Sequence, residues 1–119
     1  MDELQKMYAR IGSHVAPVLS RMGGDAGMLR HFVERFLEDE SFCMLASALE
    51  AGSNEEAFRA AHTLKGICAT LGFDTLFSRA SQVTELLRSN DLQGAIAAFP
   101  ALEQAYEEVV EAIGSQLSS

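Results

Sequence analysis

Near the middle of the chain, His62 stands one helical turn before Lys65 and Gly66, which places the three residues on neighbouring turns of one helix face. A neutral imidazole nitrogen that is open to solvent can attack a phosphoryl group, because histidine titrates close to physiological pH. The ammonium group of Lys65 can then stabilise the phosphoryl oxygens. These residue types at this spacing predict a histidine that carries a phosphoryl group.

The segment around His62 has the two faces of an amphipathic helix. With about 100 degrees of rotation per residue, the apolar residues of segment 54–71 fall within an arc of about 120 degrees, the width of a core-facing stripe. The histidine lies roughly opposite the centre of this arc. The apolar arc contains Ala57, Ala60, Ala61, Leu64, Ile67, Cys68 and Leu71. The outward stripe around His62 contains Phe58, Lys65, Gly66 and Ala69.

Gly66 is an unfavourable residue for the middle of a helix. Glycine there costs about 0.5–1 kcal/mol relative to alanine, so its presence needs a reason, such as the close approach of another surface. Ala69 leaves space at the next turn, and Phe58 offers an apolar contact on the other side of the histidine. We therefore predict that Phe58, Gly66 and Ala69 contact a partner.

Other chemistry at His62 has less support in the sequence. No glycine-rich phosphate loop follows a strand, so we expect no ATP site and no enzyme activity, and the phosphoryl group should come from another protein. No second histidine or cysteine stands at a metal-ligand spacing from His62, so neither a metal nor another cofactor is predicted. The alternative from a different functional class is a non-catalytic helical adaptor or dimerisation module in which the histidine is incidental.

Length, charge and hydropathy restrict the class of protein. The 119 residues, 48% of them hydrophobic, suffice for one domain with a core. A net charge of −8 argues against nucleic acid or an anionic membrane as a partner. No run approaches the roughly 18 apolar residues of a spanning helix, and the polar N-terminus does not resemble a signal peptide. We therefore expect a cytoplasmic protein and, without a surplus apolar helix face, a monomer.

Helix signals occur along almost the whole chain, and no strand alternation exceeds a few residues, so the predicted fold class is all-α. We expect an antiparallel four-helix bundle formed by segments that start near residues 25, 54, 74 and 92, with short additional N-terminal helices across one end. Residues 1–119 are predicted to be one domain, with 1–22 as the helical cap and 25–117 as the bundle.

Polar residues, glycines and one proline mark the expected helix ends. Asp25, Ser53 and Asp74 are predicted N-caps, and Gly72 should end the helix that carries the histidine. Pro100 should either kink the last helix or begin a second piece of it, because proline lacks the backbone donor. Cys43 and Cys68 stand within apolar helical patterns, so we expect both to be buried free thiols. Met44 is expected to pack in the core or at a helix end.

The chain resembles the histidine-containing phosphotransfer (HPt) domains of multistep phosphorelays. The resemblance rests on the runs Ala61–Gly66 and Ala69–Phe73, and upstream on Gly23-Gly24-Asp25 leading into Leu29, Phe32 and Phe36. It spans about residues 15 to 110. Domains of this family are four-helix bundles, and their histidine accepts a phosphoryl group from the phospho-aspartate of one receiver domain and passes it to another receiver.

The resemblance implies a role for individual residues. His62 would be the phosphoacceptor, Lys65 would support the phosphoryl group, and Gly66 would let the receiver approach. The partners would be receiver domains of response regulators or hybrid histidine kinases, and the Mg²⁺ needed for transfer would belong to the receiver. Apart from the resemblance, an apolar patch around His62 should exclude water, and we expect some of three further residues to extend it, although each fits the core equally well. These are Met22, Leu29 and Phe32.

One departure distinguishes two subtypes of this family. The similar phosphoacceptor domains of chemotaxis kinases usually carry a glutamate on the following helix that orients the histidine. Here Thr84 stands at that position, where we predict a partner-binding residue, and the adjacent Glu85 points about 100 degrees away on an ideal helix. The sequence therefore favours a receiver-to-receiver relay, and direct phosphorylation by a chemotaxis-type histidine kinase is the nearer alternative.

Overall fold

Helices make up nearly all of the protein in its computed structural model, which describes residues 1–117. A short 3-10 turn, Phe36–Glu38, separates the third and fourth α-helices. The α-helices are α1 (Glu3–Arg10), α2 (Val15–Arg21), α3 (Ala26–Arg35), α4 (Ser41–Ala51), α5 (Asn54–Leu71), α6 (Asp74–Arg88) and α7 (Leu92–Leu117). The predicted all-α class is confirmed.

The bundle consists of α4, α5, α6 and α7. α5 packs against α4 on one side and α6 on the other, and α7 packs along α6. The segment predicted to begin the bundle near residue 25 is α3, which makes only minor contacts with α5 and α7, so that assignment is wrong and α4 takes this place. The reason is a break in the helix: the backbone at Asp39 is extended, and its carboxylate accepts a hydrogen bond from the Ser41 N–H at 3.0 Å.

Apolar residues at helical spacing form the core of the bundle. Six of the seven residues in the predicted α5 arc are buried, and Ile67 is half-buried against the core. Cys68 is buried, and burial raises the pKa of its thiol to about 12. Cys43 is exposed on α4, so its predicted burial is wrong. Met44 is also exposed on α4, so it is not a core residue. α7 continues through Pro100 as one helix and does not begin again there.

The two N-terminal helices bind the last turn of α5. Tyr8 of α1 is fully buried, and its hydroxyl donates a 2.6 Å hydrogen bond to the Leu71 carbonyl. Arg21 of α2 donates to the carbonyls of Ala69 and Thr70 at 3.3 and 3.1 Å. The last carbonyls of an α-helix have no partner within the helix, so side chains distant in sequence stabilise the end of α5.

The same N-terminal region also supplies the hydrogen bond at the start of α6. Asp74 is the first residue of this helix and not its N-cap, so the predicted cap is wrong. Phe73 occupies the N-cap position with a buried apolar ring, and the Ser13 hydroxyl accepts the hydrogen bond of the Asp74 N–H at 3.1 Å. The predicted N-caps Asp25 and Ser53 do accept hydrogen bonds from their helices.

We expect Gly72→Ala to destabilise the protein more than Gly52→Ala. Both glycines have left-handed backbones, with φ of +71 and +75 degrees, which should cost alanine about 1–2 kcal/mol. Only at Gly72 would the new Cβ clash with Val18, which is buried. Overpacking should therefore add about 1–3 kcal/mol to the loss at Gly72. Urea unfolding measures both changes, and equal losses would show that α2 does not pack closely on this turn.

Candidate functional site

His62 lies in the middle of α5 with its side chain exposed. The preceding Ala61 and the nearby Leu64 are fully buried, so the helix holds the backbone of the histidine against the core while its ring faces solvent. Among residues 1–117, no side-chain hydrogen bond involves the imidazole. Its ring nitrogens are therefore accessible to a reactant from outside the chain.

Lys65 lies one turn from His62 on the same face of α5 and is half-buried. None of the ion pairs formed by residues 1–117 includes Lys65. Arg59 on the same helix, by contrast, pairs with Glu55. The ammonium group of Lys65 is thus not committed to an internal carboxylate and can meet an anion bound at the imidazole.

Gly66 and Ala69 leave open space on the face of α5 that bears the histidine. Both are exposed, and a Cβ built on Gly66 would meet no atom within 4 Å beyond its own helix turn. The packing of this chain therefore does not require glycine at position 66. Glycine weakens a helix, so nothing within the described chain accounts for this residue.

An open groove of about 1610 Å³ borders His62 on the α4 side. His62 and Gly66 line it from α5, Met44 lines it from α4, and Phe32 lines it from α3. Phe32 is 43% exposed and Met44 is 59% exposed, so both offer apolar surface close to the histidine. Leu29, for which the sequence left surface and core open, is fully buried and belongs to the core. Met22 is half-buried.

Sequence reasoning missed Met44 because α4 is apolar on several sides. Its buried positions form one stripe, which contains Ser41, Leu45, Ala48 and Leu49. Met44 falls outside that stripe, but methionine occurs both in cores and on binding surfaces, so its residue type did not show that it is exposed. The sequence does indicate the break between α3 and α4, but a break alone does not show which face of α4 meets α5.

On its α6 side, His62 contacts an aromatic ring. The ring centroids of Phe58 and His62 are 5.8 Å apart with an interplanar angle of 49 degrees. The guanidinium carbon of Arg88, the last residue of α6, lies 5.0 Å from the Phe58 ring centroid. Glu85 in turn pairs with Arg88, with 3.2 Å between its carboxylate and the Arg88 Nε. Phe58 is therefore half-buried between two neighbours.

Arg88 and Glu85 were not predicted as members of the site. Phe58 and Arg88 stand at similar sequence distances on either side of Gly72, where α5 turns back into α6. Antiparallel helices joined by a short turn bring such positions together. The similar distances from Gly72 therefore indicate that Phe58 and Arg88 lie close together, provided that the helix ends are known to within one or two residues.

The prediction that Thr84 binds a partner is wrong. Thr84 is fully buried, and its hydroxyl donates a 2.7 Å hydrogen bond to the Ala80 carbonyl on its own helix. The bond satisfies the buried hydroxyl, and this residue does not reach the surface. The predicted orientation of Glu85 agrees with its ion pair, which directs the carboxylate to Arg88.

The described chain contains neither a cluster of metal ligands nor a membrane-spanning helix. Among residues 1–117, no three histidine, cysteine, aspartate or glutamate side chains lie close enough together to hold a metal ion. In the same part of the chain, no helix combines the length and the apolar character needed to cross a membrane.

Comparison with known protein families places most of the chain in a single family. Residues 24–112 match the Hpt domain, a span that includes α3 to α6 and most of α7. No curated protein and no solved structure matches the chain. Hpt domains are phosphocarriers of histidine phosphorelays and interact with receiver domains. Because the match covers well over half of the sequence and includes the exposed histidine on α5, the chain belongs to the Hpt domain family.

Proposed function

We propose that His62 accepts a phosphoryl group from the aspartate of one receiver domain and passes it to the aspartate of another. The observation that carries this proposal is the exposed imidazole beside open space at Gly66. A receiver must bring its aspartyl phosphate within bonding distance of the ring, so both exposure and clearance are needed.

In this transfer the chain supplies a ring nitrogen as the nucleophile, and the receiver supplies the carboxylate that leaves. The lone pair of a neutral His62 nitrogen attacks the phosphorus, the N–P bond forms, and the P–O bond to the aspartate breaks with its electrons on the carboxylate. Transfer to the second receiver reverses these steps. We assign to Lys65 the stabilisation of the phosphoryl oxygens, because its ammonium is on the same face and has no internal carboxylate partner.

The docking surface proposed for the receiver combines the open part of α5 with the groove beside it. Gly66 and Ala69 provide close approach, while Phe32 and Met44 provide apolar area that excludes water when covered. Phe58 contributes the edge that remains exposed between His62 and Arg88. We further propose that the protein works as a monomer in the cytoplasm.

The structure favours a receiver over a kinase as the source of the phosphoryl group. In the chemotaxis-type alternative, a carboxylate on the helix after the histidine would orient the imidazole. Thr84 is buried, and Glu85 pairs with Arg88, so neither residue takes that role here. The absence of this partner for His62 among residues 1–117 supports acceptance from an aspartyl phosphate.

The test is phosphorylation by purified proteins with a radioactive label. A panel of receiver domains, phosphorylated in advance and freed of donor, is incubated with the chain, and we expect a label that is acid-labile and stable to alkali. A parallel reaction contains a chemotaxis-type kinase domain and labelled ATP. Labelling only by the kinase would contradict the relay, and binding of receivers without any label would favour the adaptor alternative.

A further inference from the structure

Arg88 lies at the end of a chain of contacts that reaches His62. Glu85 holds the guanidinium through an ion pair at 3.2 Å, and the guanidinium carbon lies 5.0 Å from the centroid of the Phe58 ring. The Phe58 ring is 5.8 Å from the imidazole, centroid to centroid. Each contact is of a recognised attractive kind, a cation over an aromatic face or a tilted ring pair.

The imidazole needs such a contact because no hydrogen bond orients it. Among residues 1–117, no side chain donates to or accepts from the His62 ring. An exposed side chain without a partner samples its staggered χ1 rotamers, whereas in-line transfer requires one orientation of the nucleophile. Phe58 is the aromatic ring in contact with the imidazole, and it is itself half-buried and covered by Arg88.

We propose that Arg88 is a positioning residue, which holds the Phe58 ring and thereby the His62 imidazole in the orientation that accepts the phosphoryl group. The inference rests on the proposed role of His62. Arg88 acts through Phe58, since the phenyl ring lies between its guanidinium and the imidazole. In this chain an aromatic contact thus takes the place of an orienting carboxylate.

The experiment compares Arg88→Gln with Arg79→Gln in single-turnover transfer from a phosphorylated receiver. Arg79 is an exposed arginine on the same helix, and nine residues of rotation place it about 180 degrees from Arg88. On a helix only two χ1 wells are well populated, because the third clashes with the preceding turn, so a ring free to occupy both should lower the maximal transfer rate about twofold. The receiver concentration at half-maximal rate should stay unchanged. Arg88→Lys should restore most of the rate, because an ammonium can also lie over an aromatic face.

Two readouts separate positioning from other roles of Arg88. Three-bond NMR couplings should show a single χ1 rotamer for His62 in the wild type and averaging in Arg88→Gln, with weaker Phe58–His62 ring contacts. Labelling by phosphoramidate, a small donor that needs no docking, should be equal in both proteins. A raised half-maximal concentration with an unchanged maximal rate would make Arg88 a docking residue and overturn the proposal.

Two other results test the positioning role of Arg88 and the proposed function of His62. Unchanged rotamers in Arg88→Gln would overturn the proposal even if transfer were slower. If the wild-type chain accepts no label from any receiver or from phosphoramidate, the proposed function of His62 fails. The NMR comparison still tests whether Arg88 orients the ring, so the two failures are distinguishable.

Discussion

Replacement of His62 by glutamine is expected to abolish phosphoryl acceptance and to leave the fold intact. The amide of glutamine has no nucleophilic lone pair equivalent to that of a neutral imidazole nitrogen, so no N–P bond can form. The side chain is exposed on α5 and has no hydrogen-bond partner among residues 1–117. The free energy of unfolding should therefore change by no more than about 0.5 kcal/mol.

Acid-labile label on the chain, measured after incubation with a phosphorylated receiver, tests this expectation. The matched control is His31→Gln, because His31 is also an exposed histidine on a helix, in α3. This variant should accept the phosphoryl group as the wild type does, and circular dichroism should show the same helix content in all three proteins. Retained acid-labile label in His62→Gln would remove His62 as the phosphoacceptor.

Gly66→Gln is expected to slow transfer from the receiver by about a hundredfold, the scale of loss produced by a displacement of about 1 Å at a reacting centre. The added side chain would stand one turn from His62 in the space through which the receiver approaches. The free protein should tolerate it, because a Cβ at this position meets no atom within 4 Å. Replacing a helical glycine with a better helix former should even stabilise the fold by about 0.5–1 kcal/mol.

The control for Gly66→Gln is Gly114→Gln. Gly114 is an exposed glycine within α7, with equally open space around its Cβ position, and α7 packs against α6. Both variants should gain a similar amount of thermal stability, but only Gly66→Gln should transfer slowly. Phosphoramidate labelling of Gly66→Gln should remain close to that of the wild type, because the small donor does not dock. Equal transfer rates in the two variants would show that Gly66 does not provide receiver clearance.

The helix faces of α5 could be predicted because they depend on local spacing. Each residue rotates the helix by about 100 degrees, so the positions of Ala57 to Leu71 decide which side is buried and which side carries His62. The same rotation per residue predicted that Glu85 and Thr84 point in different directions from α6, and in the structure Glu85 is exposed while Thr84 is buried. It did not show whether the Thr84 side of α6 faces solvent, since that depends on the helix packed against it.

The supports of the site could not be predicted in the same way. The partner of the Leu71 carbonyl is Tyr8, and the partner of the Asp74 N–H is Ser13, both more than 60 residues away in sequence. Local capping rules predicted Asp74 as the N-cap of α6, because such rules consider only side chains within a few residues of the helix start. Residues 1–22 therefore do more than cover one end of the bundle: they supply the missing hydrogen bonds at the α5–α6 corner.

By itself the sequence determined the all-α class, the end of α5 at Gly72, and the placing of His62, Lys65 and Gly66 on one outward face. These features follow from helix periodicity and from backbone preferences, which act over a few residues. Only the tertiary structure decided that α4 borders the histidine with a groove and that Arg88 covers Phe58. Those contacts depend on how separate helices pack, and packing is set by the shape and burial of side chains far apart in the chain.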